Sequence, residues 1–203
     1  EINDSRLINL TISNVDGATL AGTGKAVLEI ADNDNNPYER LMGNWVATAA
    51  DGSSFPVNIS GGFTADDEAV NFEKTLVCWG FGGYQEDLTA YGGAYTPLKQ
   101  PVWYFNYNGE EGTLSARSGA LMANIWSFNG IDEDCEIKLA AGQENAEGNM
   151  ATDHDYHVKA TWSEDMNTIT FETGYYLVAT VWGVSQTYYG YWMAFPDLVL
   201  KRK

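Results

Sequence analysis

Basic residues are scarce in this chain of 203 residues, which contains 11 Lys and Arg against 28 Asp and Glu. The resulting formal charge of −17 would repel a phosphate backbone or an anionic membrane surface. Nucleic acid is therefore excluded as an expected partner. No run of 18 or more apolar residues is present to cross a bilayer, so we expect a membrane link only through a lost N-terminal lipid anchor.

Cysteine is nearly absent as well. Cys78 and Cys135 are too few and too far apart for a zinc knuckle or a disulfide framework. Cys78 lies in an apolar run and is interpreted as a small buried residue, whereas the carboxylates of Asp134 and Glu136 would raise the pKa of the Cys135 thiol. The sequence leaves open whether the two thiols form a bridge, because it does not give their distance.

The chain also lacks the motifs of common catalytic sites: the Gly-x-Ser-x-Gly elbow, the Gly-x-x-x-x-Gly-Lys phosphate loop and the His-Glu-x-x-His helix. Both histidines lie in one segment, residues 153–157. If His154 and His157 lay on one strand, their side chains would point to opposite faces. A solvated loop is therefore a better interpretation of this segment than a zinc site. We therefore predict that the protein is not an enzyme.

What the sequence does contain is period-two alternation of apolar and polar residues, which is typical of half-buried strands. Residues 156–173 show it on both sides of a short polar segment and predict a hairpin. Clusters of Gly, Asn, Asp and Ser separate the strands and favour an antiparallel sandwich or barrel without long helices. The other predicted strands are residues 6–13, 25–31, 44–50, 55–60, 70–79, 102–107, 121–128, 136–140, 175–182, 188–195 and 198–201.

A polar linker at residues 33–37 divides the chain into residues 1–36 and residues 37–203. Its sequence, Asn-Asp-Asn-Asn-Pro, ends one run of strands, and the proline favours an extended residue before it. The two strands before the linker cannot form a core by themselves, because an isolated hairpin is marginally stable in water. We expect either a missing N-terminal portion or the domain that follows to cover them.

Residues 1–36 resemble the C-terminal part of a Calx-beta domain. The resemblance lies in the strand at residues 6–13, the Gly-containing loop at residues 14–20, and a last strand that runs into Asp32-Asn33-Asp34. It implies a hairpin from a partial β-sandwich and, as in family members that bind calcium, carboxylate ligands at this end. Asp4, Asp32 and Asp34 are the candidate metal ligands. The alternative is an Asx-rich turn that needs no metal, and no other cofactor is expected.

Residues 37–203 resemble the lipocalin-like domains of surface lipoproteins of Bacteroidales. Gly43-Asn44-Trp45 stands where these domains have a Gly-x-Trp opening strand, and about eight to ten strands fit an antiparallel barrel with a ligand in its mouth. The resemblance leaves two alternatives for the end of the chain: Arg202 stacks on Trp45, as a late basic residue does in lipocalins, or the basic residues 201–203 simply fray as a terminus. Together the two resemblances imply an extracytoplasmic protein, either secreted or an outer-membrane surface lipoprotein.

Aromatic residues are concentrated on a few of the predicted strands. Rings with hydroxyl edges suit a sugar or a small apolar molecule, and Gly190 would permit a bulge or the close approach of a ligand. We therefore predict a module that binds a glycan or another small molecule. The alternative is a structural or adhesive spacer, with rings that only fill or coat the barrel. The candidate ligand contacts are Trp103, Phe105, Tyr107, Tyr188, Tyr189, Tyr191 and Trp192.

Overall fold

The computed structural model describes residues 6–12, 16–17, 22–30, 36–61, 74–83, 101–126, 128 and 130–203. Its regular structure in these ranges is almost entirely β, with one short helix, α1 (Pro37–Arg40), and a single 3-10 turn at Phe81–Gly83. No helix within them has the length and apolar composition needed to span a membrane. The strands are β1 (Arg6–Thr11), β2 (Lys25–Ile30), β3 (Gly43–Thr48), β4 (Ser54–Gly61), β5 (Thr75–Trp79), β6 (Val102–Asn108), β7 (Thr113–Ala116), β8 (Leu121–Trp126), β9 (Cys135–Glu144), β10 (Met150–Asp153), β11 (Lys159–Trp162), β12 (Thr168–Phe171), β13 (Tyr176–Gly183), β14 (Tyr188–Pro196) and β15 (Val199–Arg202).

Eight of these strands form a closed antiparallel barrel. Their order around the wall is β3, β4, β5, β6, β7, β11, β12 and β15, and β15 pairs with β3 to close it. The hairpin predicted for residues 156–173 is present as β11 and β12. The all-β fold class and the antiparallel barrel expected from the sequence are confirmed.

The other five strands after the linker form a second antiparallel sheet. Strands β8–β10 are inserted between barrel strands β7 and β11, and strands β13–β14 between β12 and β15. Strand β9 pairs with β13 on one edge and with β8 and β10 on the other, and β14 pairs with β13. The sequence did not distinguish this sheet from the barrel, because alternation marks the buried face of a strand but not its partner.

Alternating side chains fill the interior of the barrel. On β6, Trp103 and Phe105 are fully buried, whereas Val102, before them, and Tyr104, between them, are only half-buried. Trp103 contacts Phe105 edge-on, with ring centroids 4.9 Å apart, and Phe171 of β12 lies 5.8 Å from Phe105. These rings come from different parts of the wall and meet inside it, so they form the centre of the barrel core.

The second sheet packs on the barrel through its inner face. Phe195 of β14 lies 4.7 Å from the Phe55 ring and 5.2 Å from the Phe81 ring, and Phe81 lies edge-on to Trp103 at 5.3 Å. The buried residues of both sheets belong to one continuous hydrophobic cluster. One face of the second sheet is therefore covered by the barrel. We call the opposite face the outer face; Tyr188 and Tyr191 are exposed there, whereas Val178 and Thr180 are buried.

Arg202 connects the last strand to the helix and to β3. Its guanidinium carbon lies 4.6 Å from the centroid of the Trp45 ring, and the group donates hydrogen bonds to the carbonyls of Met42 (3.1 Å) and Arg40. The Trp45 indole donates to the Leu41 carbonyl at 3.0 Å. Of the two alternatives for the C-terminus, the structure has the stacking of Arg202 on Trp45, and the basic terminus is fixed to the barrel.

Strands β1 and β2 form a separate two-stranded sheet. The register places Ile8 opposite Leu28 and Leu10 opposite Ala26, so one side of the hairpin is apolar. Ile8, Leu10 and Leu28 are 42 to 51% exposed. What covers this side stays a prediction.

The two cysteines are both buried free thiols. Burial raises the pKa of the Cys78 thiol, and burial together with the charges of Glu133 and Asp134 raises the pKa of the Cys135 thiol. Neither thiol is suited to act as a nucleophile, because the thiolate is the reactive form.

Candidate ligand-binding surface

Strand β14 is irregular at the positions where its aromatic residues lie. Its pairing with β13 shifts register twice, and the two shifts fall at Trp192 and at Tyr189. Gly190, between them, has a φ of 110°, which favours glycine over residues with a side chain. Of the two roles that the sequence left open for Gly190, a bulge is therefore present beside it, at Tyr189, while Gly190 itself pairs with Val181.

The two bulges bring Tyr188 and Tyr191 to the same face of the sheet. On a regular strand, residues three apart point to opposite faces of the sheet. The extra residue in the bulge between Tyr188 and Tyr191 turns both side chains to the same face. Tyr188 lies opposite Trp182 and Tyr191 lies opposite Thr180, both on the outer face. Tyr188 and Tyr191 are 44% and 52% exposed. We call Trp182, Tyr188, Tyr191 and the neighbouring His154 the outer-face patch.

His154 reaches the patch from the segment after β10. Its Nε2 lies 3.0 Å from the Thr180 hydroxyl oxygen, to which the Trp182 indole also donates at 3.1 Å. The same hydroxyl donates to the Lys138 carbonyl at 2.8 Å. The imidazole stands edge-on to the Trp182 ring at 5.2 Å and to the Tyr188 ring at 6.5 Å. Its position is therefore determined by β9, β13 and β14 together.

Polar groups surround the rings of the patch. The Lys138 ammonium lies 5.3 Å from the centroid of the Trp182 ring and 2.9 Å from a carboxylate oxygen of Glu136. The Tyr188 hydroxyl lies 3.4 Å from the Thr152 hydroxyl. Rings with hydrogen-bonding groups at their edges can hold a ligand that has both an apolar face and polar substituents.

The charge state of His154 follows from its surroundings. Burial lowers the pKa of the imidazole and the charge of Lys138 lowers it further, whereas Asp153 and Asp155 raise it. The net pKa lies below the ordinary value, so the imidazole is neutral at pH 7. A neutral imidazole carries one donor and one acceptor nitrogen.

Tyr189 lies beside the patch and has a different role. Its hydroxyl donates to Glu133 at 2.6 Å, and the backbone N–H and hydroxyl of Ser185 donate to the same carboxylate at 2.9 and 2.7 Å. These hydrogen bonds lower the pKa of Glu133, and the bond to Glu133 raises the pKa of Tyr189. Tyr189 thus attaches the β13–β14 turn to the segment before β9.

Four of the predicted ligand contacts are part of the packed interior. Trp103 and Phe105 are fully buried, because their side of β6 faces the filled barrel. Tyr107 and Trp192 are half-buried against the same core, and the Tyr107 ring stacks on Trp162 at 5.6 Å. Trp103 and Phe105 are thus inaccessible to a ligand at the surface, whereas contact of a ligand with Tyr107, with Trp192 or with the exposed tyrosines of β14 stays a prediction.

The sequence missed the role of His154. The segment that contains it was interpreted as a solvated loop, but His154 packs on Trp182, and His157 accepts a hydrogen bond from the Ser118 N–H through Nδ1 at 3.1 Å. Across the described ranges, no group of three or more His, Cys, Asp or Glu side chains is arranged to hold a metal ion. Asp4, Asp32 and Asp34, the candidate calcium ligands, lie outside these ranges.

No family model matches the chain, and comparisons with curated proteins and with solved structures gave no match either. The resemblances to Calx-beta and lipocalin-like domains therefore stay predictions. The inference of function has to start from the geometry of the outer-face patch and of the barrel.

Proposed function

We propose that this protein is a non-catalytic, extracytoplasmic binding module that holds a glycan or another small molecule with an apolar face on the outer-face patch. The observation that carries the proposal is the pair of bulges, which bring Tyr188 and Tyr191 to the same exposed face as Trp182. Bulges often re-aim side chains next to functional sites. Without them, one of the two tyrosines would point toward the core.

The exposure of these rings supports binding at this surface. Apolar side chains that cluster on one exposed face mark an interaction site more often than the same residues scattered singly. Tyr188 and Tyr191 expose about half of their surface while the inner face of the same sheet is buried. A flat ligand that stacked on the rings would remove this apolar area from water.

The filled barrel supports a ligand site outside it. Trp45, Trp103 and Phe105 are fully buried, and Phe171 stacks on Trp103 with centroids 6.1 Å apart. A ligand at this depth would have to displace several rings of a close-packed core. The proposed site is therefore on the second sheet and not in the barrel mouth that lipocalin-like proteins use.

The filled barrel also favours a second candidate function, a structural or adhesive spacer whose barrel holds no ligand. In that case the rings of the patch would only shield the outer face of the sheet, and the acidic surface would keep the protein soluble. The two functions differ in one result, since a spacer has no saturable affinity for a small molecule.

The origin and location of the protein are separate proposals. The stacking of Arg202 on Trp45 is the arrangement that the resemblance to lipocalin-like domains implied, and it supports that relationship. We propose on this basis a secreted or lipid-anchored surface protein, with a Calx-beta-like hairpin before the barrel. Mass spectrometry of the protein in its native host would detect a lipidated N-terminal segment, and recovery from the cytosol alone would contradict the location.

Calcium is proposed only for the acidic end of the hairpin, at Asp4, Asp32 and Asp34. A bound ion that prefers the folded state would raise the melting temperature with its concentration. An unchanged melting temperature in millimolar calcium, together with no heat in calorimetry, would exclude this site. The ligand-binding proposal does not depend on it.

Isothermal titration calorimetry with uncharged oligosaccharides tests the binding function. Replacing Tyr188 and Tyr191 together by alanine removes two stacking surfaces worth about 1 kcal/mol each, which weakens binding about 30-fold. Trp79→Ala is the matched control, since Trp79 is 38% exposed on the barrel wall, away from the patch. If the double variant binds as tightly as the wild type, the site is wrong, and if no oligosaccharide binds, the spacer function is correct.

A further inference from the structure

The Thr180 hydroxyl has a fixed arrangement of donors and acceptors. It lies within hydrogen-bond distance of the Lys138 carbonyl, the Trp182 indole N–H and His154 Nε2. A carbonyl can only accept and an indole N–H can only donate. The single hydrogen of the hydroxyl is therefore used toward Lys138, and its oxygen accepts from Trp182.

This arrangement determines the tautomer of His154. Since the Thr180 hydrogen already points to the Lys138 carbonyl, His154 Nε2 must carry the proton and donate to the Thr180 oxygen. The neutral imidazole then has its lone pair on Nδ1. Thr180 is fully buried, so water cannot replace any partner in this set.

Nδ1 is the ring nitrogen of His154 that the Thr180 hydroxyl leaves for another partner. It has no hydrogen-bond partner in the parts of the chain that the structure describes, and the buried unpaired side-chain atom found there is Trp103 Nε1. The imidazole contacts the edges of the Trp182 and Tyr188 rings. The imidazole that carries this acceptor atom therefore lies beside the aromatic surface, and a ligand there that paired with Nδ1 would need a hydrogen-bond donor.

We propose that His154 is a ligand-contacting residue of the outer-face patch, with Nδ1 accepting a hydrogen bond from a hydroxyl group of an uncharged carbohydrate that stacks on Tyr188 and Tyr191. This inference rests on the proposed function and specifies its ligand class. A pyranose ring combines an apolar face, which suits an aromatic ring, with hydroxyl donors around its edge.

The charges around the patch exclude an acidic sugar. The chain has a formal charge of −17, and Asp153 and Asp155 flank His154. Lys138, the cation at the patch, is already paired with Glu136 at 2.9 Å. The net negative charge would therefore repel a carboxylate or sulfate group of the ligand. Nδ1 of His154 offers such a group no donor, and the lysine described at the patch would be shared with Glu136.

Two substitutions separate the ring nitrogens of His154. His154→Gln places an amide donor near the position of Nε2 and keeps the contact to Thr180, but it removes the acceptor at Nδ1. His154→Asn places an amide oxygen near the position of Nδ1 and loses the contact to Thr180. The probes are cellohexaose, xylohexaose and mannohexaose as uncharged oligosaccharides, and oligogalacturonate as the acidic one.

For whichever uncharged probe binds the wild type, we expect His154→Gln to weaken binding about five- to tenfold, as the loss of one hydrogen bond implies. His154→Asn, which keeps an acceptor near the position of Nδ1, should bind more tightly than His154→Gln while melting at a lower temperature than the wild type. Equal affinity of wild type and His154→Gln, with binding still lost in the Tyr188 and Tyr191 double variant, would overturn the role of His154 and leave the binding function intact. Absence of binding by every uncharged probe would overturn both proposals, and tighter binding of oligogalacturonate would overturn the ligand class.

Two measurements on the wild type need no variant. Nitrogen NMR of the imidazole should find the proton on Nε2 at neutral pH, and a proton on Nδ1 would overturn the inference. Protonation makes both nitrogens donors, so affinity for the uncharged probe should fall as the imidazole titrates in acid.

The titratable and charged groups around His154 are Asp153 and Asp155 on its own segment, Lys138 on β9 and Tyr188 on β14, and β13 contributes only Thr180 and Trp182. An affinity that stays constant through this titration would contradict the accepting role of Nδ1.

Discussion

Two buried tryptophans of the barrel should respond differently to the same substitution. Trp45 and Trp103 are both fully buried, but the Trp45 indole donates to the Leu41 carbonyl at 3.0 Å, whereas Trp103 Nε1 has no hydrogen-bond partner among the described residues. Trp45 also lies under the Arg202 guanidinium. Replacing each tryptophan by phenylalanine removes the same atoms, so a difference in the free energy of unfolding reports the polar interactions of the two indole groups.

The size of this difference in the free energy of unfolding depends on which polar groups each substitution leaves without a partner. The apolar packing that each substitution removes is similar at two fully buried sites, so this contribution cancels in the comparison. At Trp45, the carbonyl left without its donor costs about 1–3 kcal/mol and the weaker interaction with the cation costs about 0.5–1 kcal/mol. At Trp103, the substitution removes an unpartnered buried donor, which recovers about 1–3 kcal/mol. We expect Trp45→Phe to destabilise the protein by at least about 2 kcal/mol more than Trp103→Phe.

Urea unfolding followed by far-UV circular dichroism measures both variants against the wild type. Equal slopes of free energy against urea would show that the unfolded states are comparable. If Trp103→Phe proved to be as destabilising as Trp45→Phe, or more so, the reasoning about the two indole groups would be refuted.

Three further predictions concern other parts of the fold. Arg202→Ala removes hydrogen bonds to two backbone carbonyls and should cost about 2–3 kcal/mol in thermal unfolding, while Lys201→Ala, at the exposed neighbouring position, should cost less than about 0.5 kcal/mol; similar losses for both would contradict the fixed terminus. Cys78 and Cys135 should resist alkylation in the native protein and react after unfolding, because burial raises the pKa of both thiols, and rapid native labelling of both would argue against their burial. The lowered pKa of Glu133 stabilises the fold above the ordinary pKa of the carboxyl group and this stability is lost as pH falls, so acid should lower the melting temperature of the wild type more than that of Glu133→Gln, and parallel curves would contradict the role of this carboxylate.

The sequence was most informative where one strand has one buried face. Alternation predicted β6 and the β11–β12 hairpin, and the Gly-x-Trp strand with a late arginine predicted the contact of Trp45 with Arg202. Each of these features depends on local spacing or on a single pair of residues. Local spacing is what a sequence displays directly.

The division into two sheets could not be predicted in this way. Strands β9 and β13 were predicted as strands in the same way as those of the barrel, but they pair with each other in the second sheet. Partner choice depends on contacts between residues far apart in the chain, which alternation does not encode. Strand β10 was not predicted as a strand, because it lies in an acidic stretch whose composition is typical of a loop.

The candidate site was predicted in part. Gly190 indicated one bulge, but the second bulge, at Trp192, has no glycine to mark it, and the two together decide which way Tyr188 and Tyr191 point. His154 was missed because its partner, Thr180, is 26 residues away and has no distinctive sequence context. Contacts of this kind become visible only when the strands are placed side by side.

Proton–nitrogen NMR of the tryptophan indole groups during titration with an uncharged oligosaccharide tests the central claim most directly. The indole N–H of Trp182 lies in the outer-face patch, whereas those of Trp45 and Trp103 lie in the barrel core. We predict a saturable shift of the Trp182 signal with the Trp45 and Trp103 signals unchanged. Saturable shifts confined to Trp45 and Trp103 would place the ligand inside the barrel and contradict binding on the second sheet.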